Sequence, residues 1–350
     1  MKSYGHLFRS AGLLAFAGLS GCPVYTPSAA HLKVAPQPPP LKTLSDPNQI
    51  VFLVAGDTGR GNAMQRRTGK LMAEICKERR PQAGCDFALA PGDLIYNSGV
   101  RNVDDPKFAS HFEVPFSDLG PLPIWSVPGN HDWRQSGSVQ AQIDYTAKSP
   151  SGRWRMPSNH FDVPGLPGWL HIYGLDTAVI DDLRHTSGEN RNTLADLTKK
   201  QVQSAKEALC GKPGWRFLFG HHPVYSSGQH GREGPLAGKA DEIHKALVEP
   251  LIQGCKVQIY FAGHDHMQEH LQVETEKFEQ VIEGAVSEVR DNDQDINLPG
   301  VQSKFRRHEY GFALVTATRE SVRVEFFCFN KKMKNSGPSL QPAYKFDLTL

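Results

Sequence analysis

Five short apolar runs in this chain stop at a glycine followed by a polar side chain able to hold a cation, and this recurrence limits the fold most. Ile50 to Ala55 ends at Gly56-Asp57, Phe87 to Pro91 at Gly92-Asp93, and Ile124 to Pro128 at Gly129-Asn130-His131. Trp215 to Phe219 ends at Gly220-His221, and Val257 to Ala262 at Gly263-His264. Runs of this length, rich in β-formers, predict buried strands. Between some of them the spacing turns helical: Met64, Leu71, Met72, Ile75 and Cys76 share one face, as do Leu194, Leu197, Val202, Ala205 and Leu209. Strands alternating with helices predict an α/β fold. Open sheets of that class gather ligands at the carboxyl ends of their strands. One Gly-Asp alone is an ordinary turn. Five strand ends carrying carboxylate, carboxamide or imidazole predict a single metal-competent edge.

Further along, Val281 to Val286, Phe312 to Thr316 and Val322 to Phe327 read as strands with little helix between them. They predict a second sheet that closes the same domain. Asp181 to Asn192 is polar and without hydrophobic period, which predicts an exposed loop. The net charge of +2 and the lack of a polybasic run give no support for nucleic-acid or membrane-surface binding.

The N-terminus reads as an export signal. Lys2 and Arg9 precede an apolar stretch from Ala11 to Leu19 that is too short to span a bilayer. It ends at Leu19-Ser20-Gly21-Cys22, which resembles the lipobox of bacterial lipoproteins, so residues 1–22 are expected to be a signal peptide whose Cys22 is lipidated. Residues 23–49, with Pro36-Gln37-Pro38-Pro39-Pro40, read as an extended tether, and 50–350 as one folded domain. The expected location is periplasmic or at the cell surface, with the membrane touched only through a lipid on Cys22. Beyond Cys22 five cysteines remain and no C-x-x-C occurs, which argues against thiolate zinc sites. Cys210 and Cys255 each close a predicted helix just before a strand and pair if those strands are neighbours. Cys76 with Cys85 would close a short local loop. Spacing alone leaves both pairings open.

Taken in order, Gly56-Asp57-Thr58-Gly59, Gly92-Asp93-Leu94-Ile95-Tyr96, Gly129-Asn130-His131-Asp132, Gly220-His221-His222-Pro223 and Gly263-His264-Asp265-His266 resemble the signature of the calcineurin-like metallophosphoesterases. Many members carry histidine two residues after the first aspartate. This chain has Gly59 there and Tyr96 three residues after Asp93, which resembles the purple acid phosphatases of tartrate-resistant type. His221-His222-Pro223-Val224-Tyr225-Ser226 with His230-Gly231, and Gly284-Ala285-Val286-Ser287, extend the resemblance. It implies two mixed β-sheets packed together and flanked by helices, a four-layer αββα arrangement.

The resemblance also implies roles. Asp57, Tyr96 and His266 would bind Fe(III), Asp93 would bridge, and Asn130, His221 and His264 would bind a second divalent metal (Fe, Zn or Mn). His131 and His230 would contact the substrate and protonate the leaving group. The implied activity is that of an acid phosphatase using a metal-activated hydroxide on small phosphorylated substrates. A phosphodiesterase or nucleotide hydrolase could use the same site, because specificity lies in the loops over it. A binding protein that has lost catalysis is disfavoured by the intact His131, His230 and Asp93. Strand alternation predicts that only one of His221 and His222 faces the metals, and the family pattern selects His221. Asp132 and Asp265 are read either as partners that orient imidazoles or as solvated turn acids. Relatives carry a loop over the site in the region of 181–192.

Overall fold

The first four strands, β1 (Gln49–Val54), β2 (Phe87–Pro91), β3 (Ile124–Val127) and β4 (Trp154–Arg155), pair in parallel as one sheet. The next seven form a second sheet: β5 (Phe161–Asp162), β6 (Leu170–Leu175), β7 (Trp215–Gly220), β8 (Ile259–Ala262), β9 (Gln268–Val273), β10 (Phe278–Glu283) and β11 (Val301–Arg307). The last three, β12 (Tyr310–Thr318), β13 (Ser321–Phe329) and β14 (Tyr344–Thr349), return to the first sheet beside β1. This computed structural model describes residues 29, 31–35, 44–233, 241–290, 300–330 and 339–350. The signal segment with Cys22 and most of the Pro-rich stretch lie outside the described residues.

Side-chain alternation explains the layering. Along β1, Ile50, Phe52 and Val54 enter one apolar cluster while Val51 and Leu53 enter another. In the second sheet Phe217, Phe219, Ile259 and Phe261 join the cluster of Phe52, whereas Leu218 and Tyr260 point the other way. Strands apolar on both faces need cover on both. The two sheets supply it by packing on each other, with helix α1 (Ala63–Arg79) outside the first. After the short helices α2 (Asn130–Trp133), α3 (Ser138–Tyr145) and α4 (Thr177–Asp181), α5 (Gly188–Leu209) and α6 (Glu242–Leu247) lie outside the second. The layers are therefore αββα, as the resemblance implied. Among the described residues no helix is long and apolar enough to cross a membrane.

Three expectations are corrected. The C-terminal strands do not make a sheet of their own: β10 runs parallel to β8, while β12 pairs antiparallel with β1, Phe52 opposite Val315. Pairing there satisfies backbone groups that β1 would otherwise leave open at a sheet edge, and strand patterning does not encode which edge is free. Residues 181–192 are largely helical instead of a loop. Asp181 closes α4, Asp182–Arg184 form a 3-10 turn, and α5 begins at Gly188 and runs for 22 residues. Its first buried apolar residue is Leu194, so the opening turns face solvent and show no period. The tether is also partly docked: the Lys33 amide donates to Gln140 Oε1 at 2.7 Å, the Ala35 amide to the Pro157 carbonyl at 2.8 Å, and Ala35 is buried.

Both cysteine pairings form. Cys76–Cys85 closes nine residues, and Cys210–Cys255 has a Cα separation of 4.2 Å where β7 and β8 run side by side. Cys328 is a free, half-buried thiol. Closing a loop of 45 residues removes much unfolded-chain entropy. The double variant Cys210→Ser/Cys255→Ser should lose about 4 kcal/mol of stability, read as a lower denaturation midpoint. An unchanged midpoint would contradict the pairing.

Candidate metal centre

The carboxyl ends of β1, β2, β3, β7 and β8 meet, and the glycines that stop those strands let them come close. A Cβ on Gly129 would sit 2.3 Å from Asp93 Oδ1, and one on Gly263 2.5 Å from Asp57 Oδ2. Gly129→Ala should therefore displace Asp93 and lower metal affinity at least about 10-fold, measured by metal titration of the refolded variant. Asp57, Asp93 and His264 hold φ of 53°, 52° and 71°, the left-handed region that residues other than glycine seldom adopt. This backbone costs free energy at each position and clusters at functional sites.

The residues singled out in the sequence converge in two groups joined by Asp93. In one, Tyr96 Oη donates to Asp57 Oδ1 at 2.7 Å and lies 3.0 Å from His266 Nε2. His266 Nε2 is 3.2 Å from Asp57 Oδ1. In the other, His221 Nε2 is 3.1 Å from both Asn130 Oδ1 and His264 Nδ1. Between them, Asp93 Oδ2 lies 3.5 Å from His221 Nε2, and donor atoms of Asp57, Asp93 and His221 all fall within 4.8 Å of one another. His131 stands at the rim, its amide donating to Asp93 Oδ1 at 2.9 Å and its Nδ1 2.6 Å from the Asn97 carbonyl. The His230 ring lies 4.0 Å from that of His264.

Burial sets the electrostatics. Asp57 and Asp93 are 0 % and 1 % exposed. Burial alone would push the Asp57 carboxyl up, yet the hydrogen bond and charge of His266 with the charge of His221 hold it below the usual range. Burial opposes a charge on His221, but Asp93 and Asp57 keep its imidazole above the ordinary value. Tyr96 is driven well up, by burial first and then by Asp57 and Asp93. Burial, reinforced by His230, His222 and His221, pushes His264 well down. Buried carboxylates beside a tyrosine that they keep protonated form a set short of positive charge. Hard oxygens and imidazoles at these separations fit a pair of hard or borderline cations, which would also reverse the bias against tyrosinate.

Strand alternation misplaces His222. Its Nδ1 is 3.1 Å from Thr177 Oγ1, yet donor atoms of His221, His222 and His264 lie within 4.8 Å of one another. The strand ends at Gly220, so the two histidines sit on a turn where the period of two no longer applies. Asp132 and Asp265 fit neither reading offered for them. Asp132 is fully buried and accepts from the amides of Gly129 and Leu94 at 2.9 and 3.1 Å and of Ile95 at 3.2 Å, stapling the Asn130 turn to the Asp93–Tyr96 turn. Asp265 accepts from Ser226 Oγ and, at 3.2 Å, from the His230 amide, so it fixes the backbone that carries His230.

The sequence reading overlooked β6, whose end carries Asp176-Thr177 without a preceding Gly stop signal. Thr177 Oγ1 also accepts from the His222 amide at 2.8 Å. It overlooked Arg60 and Glu288 as well, which flank Tyr96 and His266 and belong to no motif block.

Comparison with known proteins agrees with this geometry. The sequence pattern of the calcineurin-like phosphoesterase family matches residues 50–268. Human tartrate-resistant acid phosphatase type 5 is 32% identical over 241 residues, 64% of this chain and 69% of that protein. Purple acid phosphatase 4 of Arabidopsis thaliana is 26% identical over 327 residues, 90% of this chain and 88% of that protein. Among solved structures, GAP50, the anchor in the inner membrane complex of Plasmodium, superposes with a TM-score of 0.64 at 20% identity, covering 86% of this chain and 89% of that one. At that identity the match speaks for the fold alone.

Proposed function

Because this chain belongs to the calcineurin-like phosphoesterase family, on its purple acid phosphatase branch, we propose that it is an exported acid phosphatase hydrolysing phosphate monoesters at a dinuclear Fe(III)–divalent metal centre. The observation that carries this reading is the contact of Tyr96 Oη with both Asp57 Oδ1 and His266 Nε2, at 2.7 and 3.0 Å. A phenol so placed becomes a hard anionic donor suited to a trivalent cation. In this reading Asp57, Tyr96 and His266 would hold Fe(III), Asn130, His221 and His264 would hold the divalent metal (Fe, Zn or Mn), and Asp93, placed between the two groups, would serve both. When bound, such ions would supply positive charge to phosphoryl oxygens and lower the pKa of a water they hold.

The chain's own residues do the rest. Asp57 and Asp93 fix the spacing of the two ligand groups. His131 donates from Nδ1 to the Asn97 carbonyl and directs Nε2 inward, 3.9 Å from Asp93 Oδ2, where the doubly protonated ring would donate to a phosphoryl oxygen. His230, held through Asp265, stands beside His264 and protonates the departing alkoxide. Comparing hydrolysis of an aryl phosphate monoester and a diester at acidic pH, with metal analysis and a visible spectrum, tests the reading. Monoesterase activity in a purple, iron-containing protein is expected. A colourless two-zinc or two-manganese protein that prefers diesters would overturn it.

Export and lipid anchoring at Cys22 are supported by the basic, then apolar N-terminus and by two disulfides, bonds that persist in oxidising compartments. Cys22→Ser should move the protein from the membrane fraction to the soluble exported fraction. An unaltered distribution would argue against the anchor.

A further inference from the structure

We propose that Arg60 and Glu288, neither of them in the ligand set, form a positioning brace that holds the Asp57–Tyr96–His266 half of the site and sets the electron donation of Tyr96. This rests on the two-metal reading above. Arg60 Cζ lies 4.0 Å from the Tyr96 ring centroid, so its cation stacks on the phenol. The same guanidinium donates from Nε to Glu288 Oε2 at 2.7 Å, from Nη2 to the same oxygen, and from Nη1 to Asn97 Oδ1 at 2.5 Å. Glu288 Oε2 in turn lies 3.5 Å from His266 Nδ1. That nitrogen is buried and has no hydrogen-bond partner.

The geometry has a direct chemical consequence. An imidazole that gives Nε2 to a metal keeps its proton on Nδ1, and that N–H needs an acceptor to fix the ring. Glu288 is the carboxylate within reach. Its segment is anchored from two sides: Asn62 Nδ2 donates to the Ser287 carbonyl at 2.7 Å, and Ser287 Oγ to the Asp57 carbonyl at 2.5 Å. Arg60 therefore couples the two donors, touching Tyr96 directly and His266 through Glu288. With side chains 24% and 34% exposed, Arg60 and Glu288 sit at the rim, where substitution spares the core. A cation over the ring stabilises phenolate charge and lowers the energy of the donating orbital.

The test uses the full-length protein purified with its metals. Glu288→Gln keeps the shape and removes the charge, Arg60→Ala removes the stack, and Arg60→Lys keeps a cation without the fork. Circular dichroism checks folding. Under chelator, the Gln and Ala variants should release one of their two ions 10- to 100-fold faster than the unaltered protein, with the second ion unaffected. In the iron-containing protein the visible band of Arg60→Ala should move to longer wavelength, and Arg60→Lys should restore part of the shift. Release rates and band positions that match the unaltered protein overturn the brace alone. An unaltered protein that holds fewer than two ions overturns the two-metal reading and the brace with it.

Discussion

Asp93→Asn is expected to lower kcat for a phosphate monoester on the order of 10³-fold or more, with the fold retained. Asparagine matches the carboxylate in shape, and its carbonyl oxygen can still accept the His131 amide that Asp93 Oδ1 now accepts at 2.9 Å. What disappears is the negative charge between the two ligand groups and the second oxygen, 3.5 Å from His221 Nε2. A single residue spans both groups, so its loss disturbs both cations at once. Replacing a ligand that serves one ion would damage only that ion's shell. The measurement pairs steady-state kinetics with metals bound per chain. Activity within tenfold of the unaltered enzyme, or activity that persists after complete metal removal, would end the two-metal mechanism.

The second large effect is on stability. Removing both ions should lower the melting temperature by roughly 15 °C. Each ion at about 1,000-fold over its Kd contributes about 4 kcal/mol, and a domain of this size shifts about 2 °C per kcal/mol. The cause is local: the ions bind only where the fold holds donor atoms of Asp57, Asp93 and His221 within 4.8 Å of one another, and the unfolded chain offers no such set. Asp93→Asn should therefore shrink the difference in melting temperature between the loaded and the stripped protein. Calorimetry of four samples, two proteins with and without metal, decides the matter. An equal difference in both proteins would show that Asp93 does not hold the ions.

What the sequence determined was local. Eight strands were legible as short apolar runs, and Asp57, Asp93, Asn130, His221 and His264 because a glycine stops the strand just before each. Two helices showed through their period of 3.6, and α5 only from Leu194 onward, where its buried face begins. Tertiary structure decided whatever depends on which strand ends meet. The return of β12 to the free edge of β1, the nearness of His222 to His264, the stapling of two turns by Asp132 and the reach of Glu288 from residue 288 to Arg60 at residue 60 join segments far apart in the chain. Periodicity and turn chemistry act over a few residues, whereas these contacts exist only once two sheets have packed. The metal-competent edge with which the sequence began is therefore a local pattern, and its division into two groups spanned by Asp93 is a product of the fold.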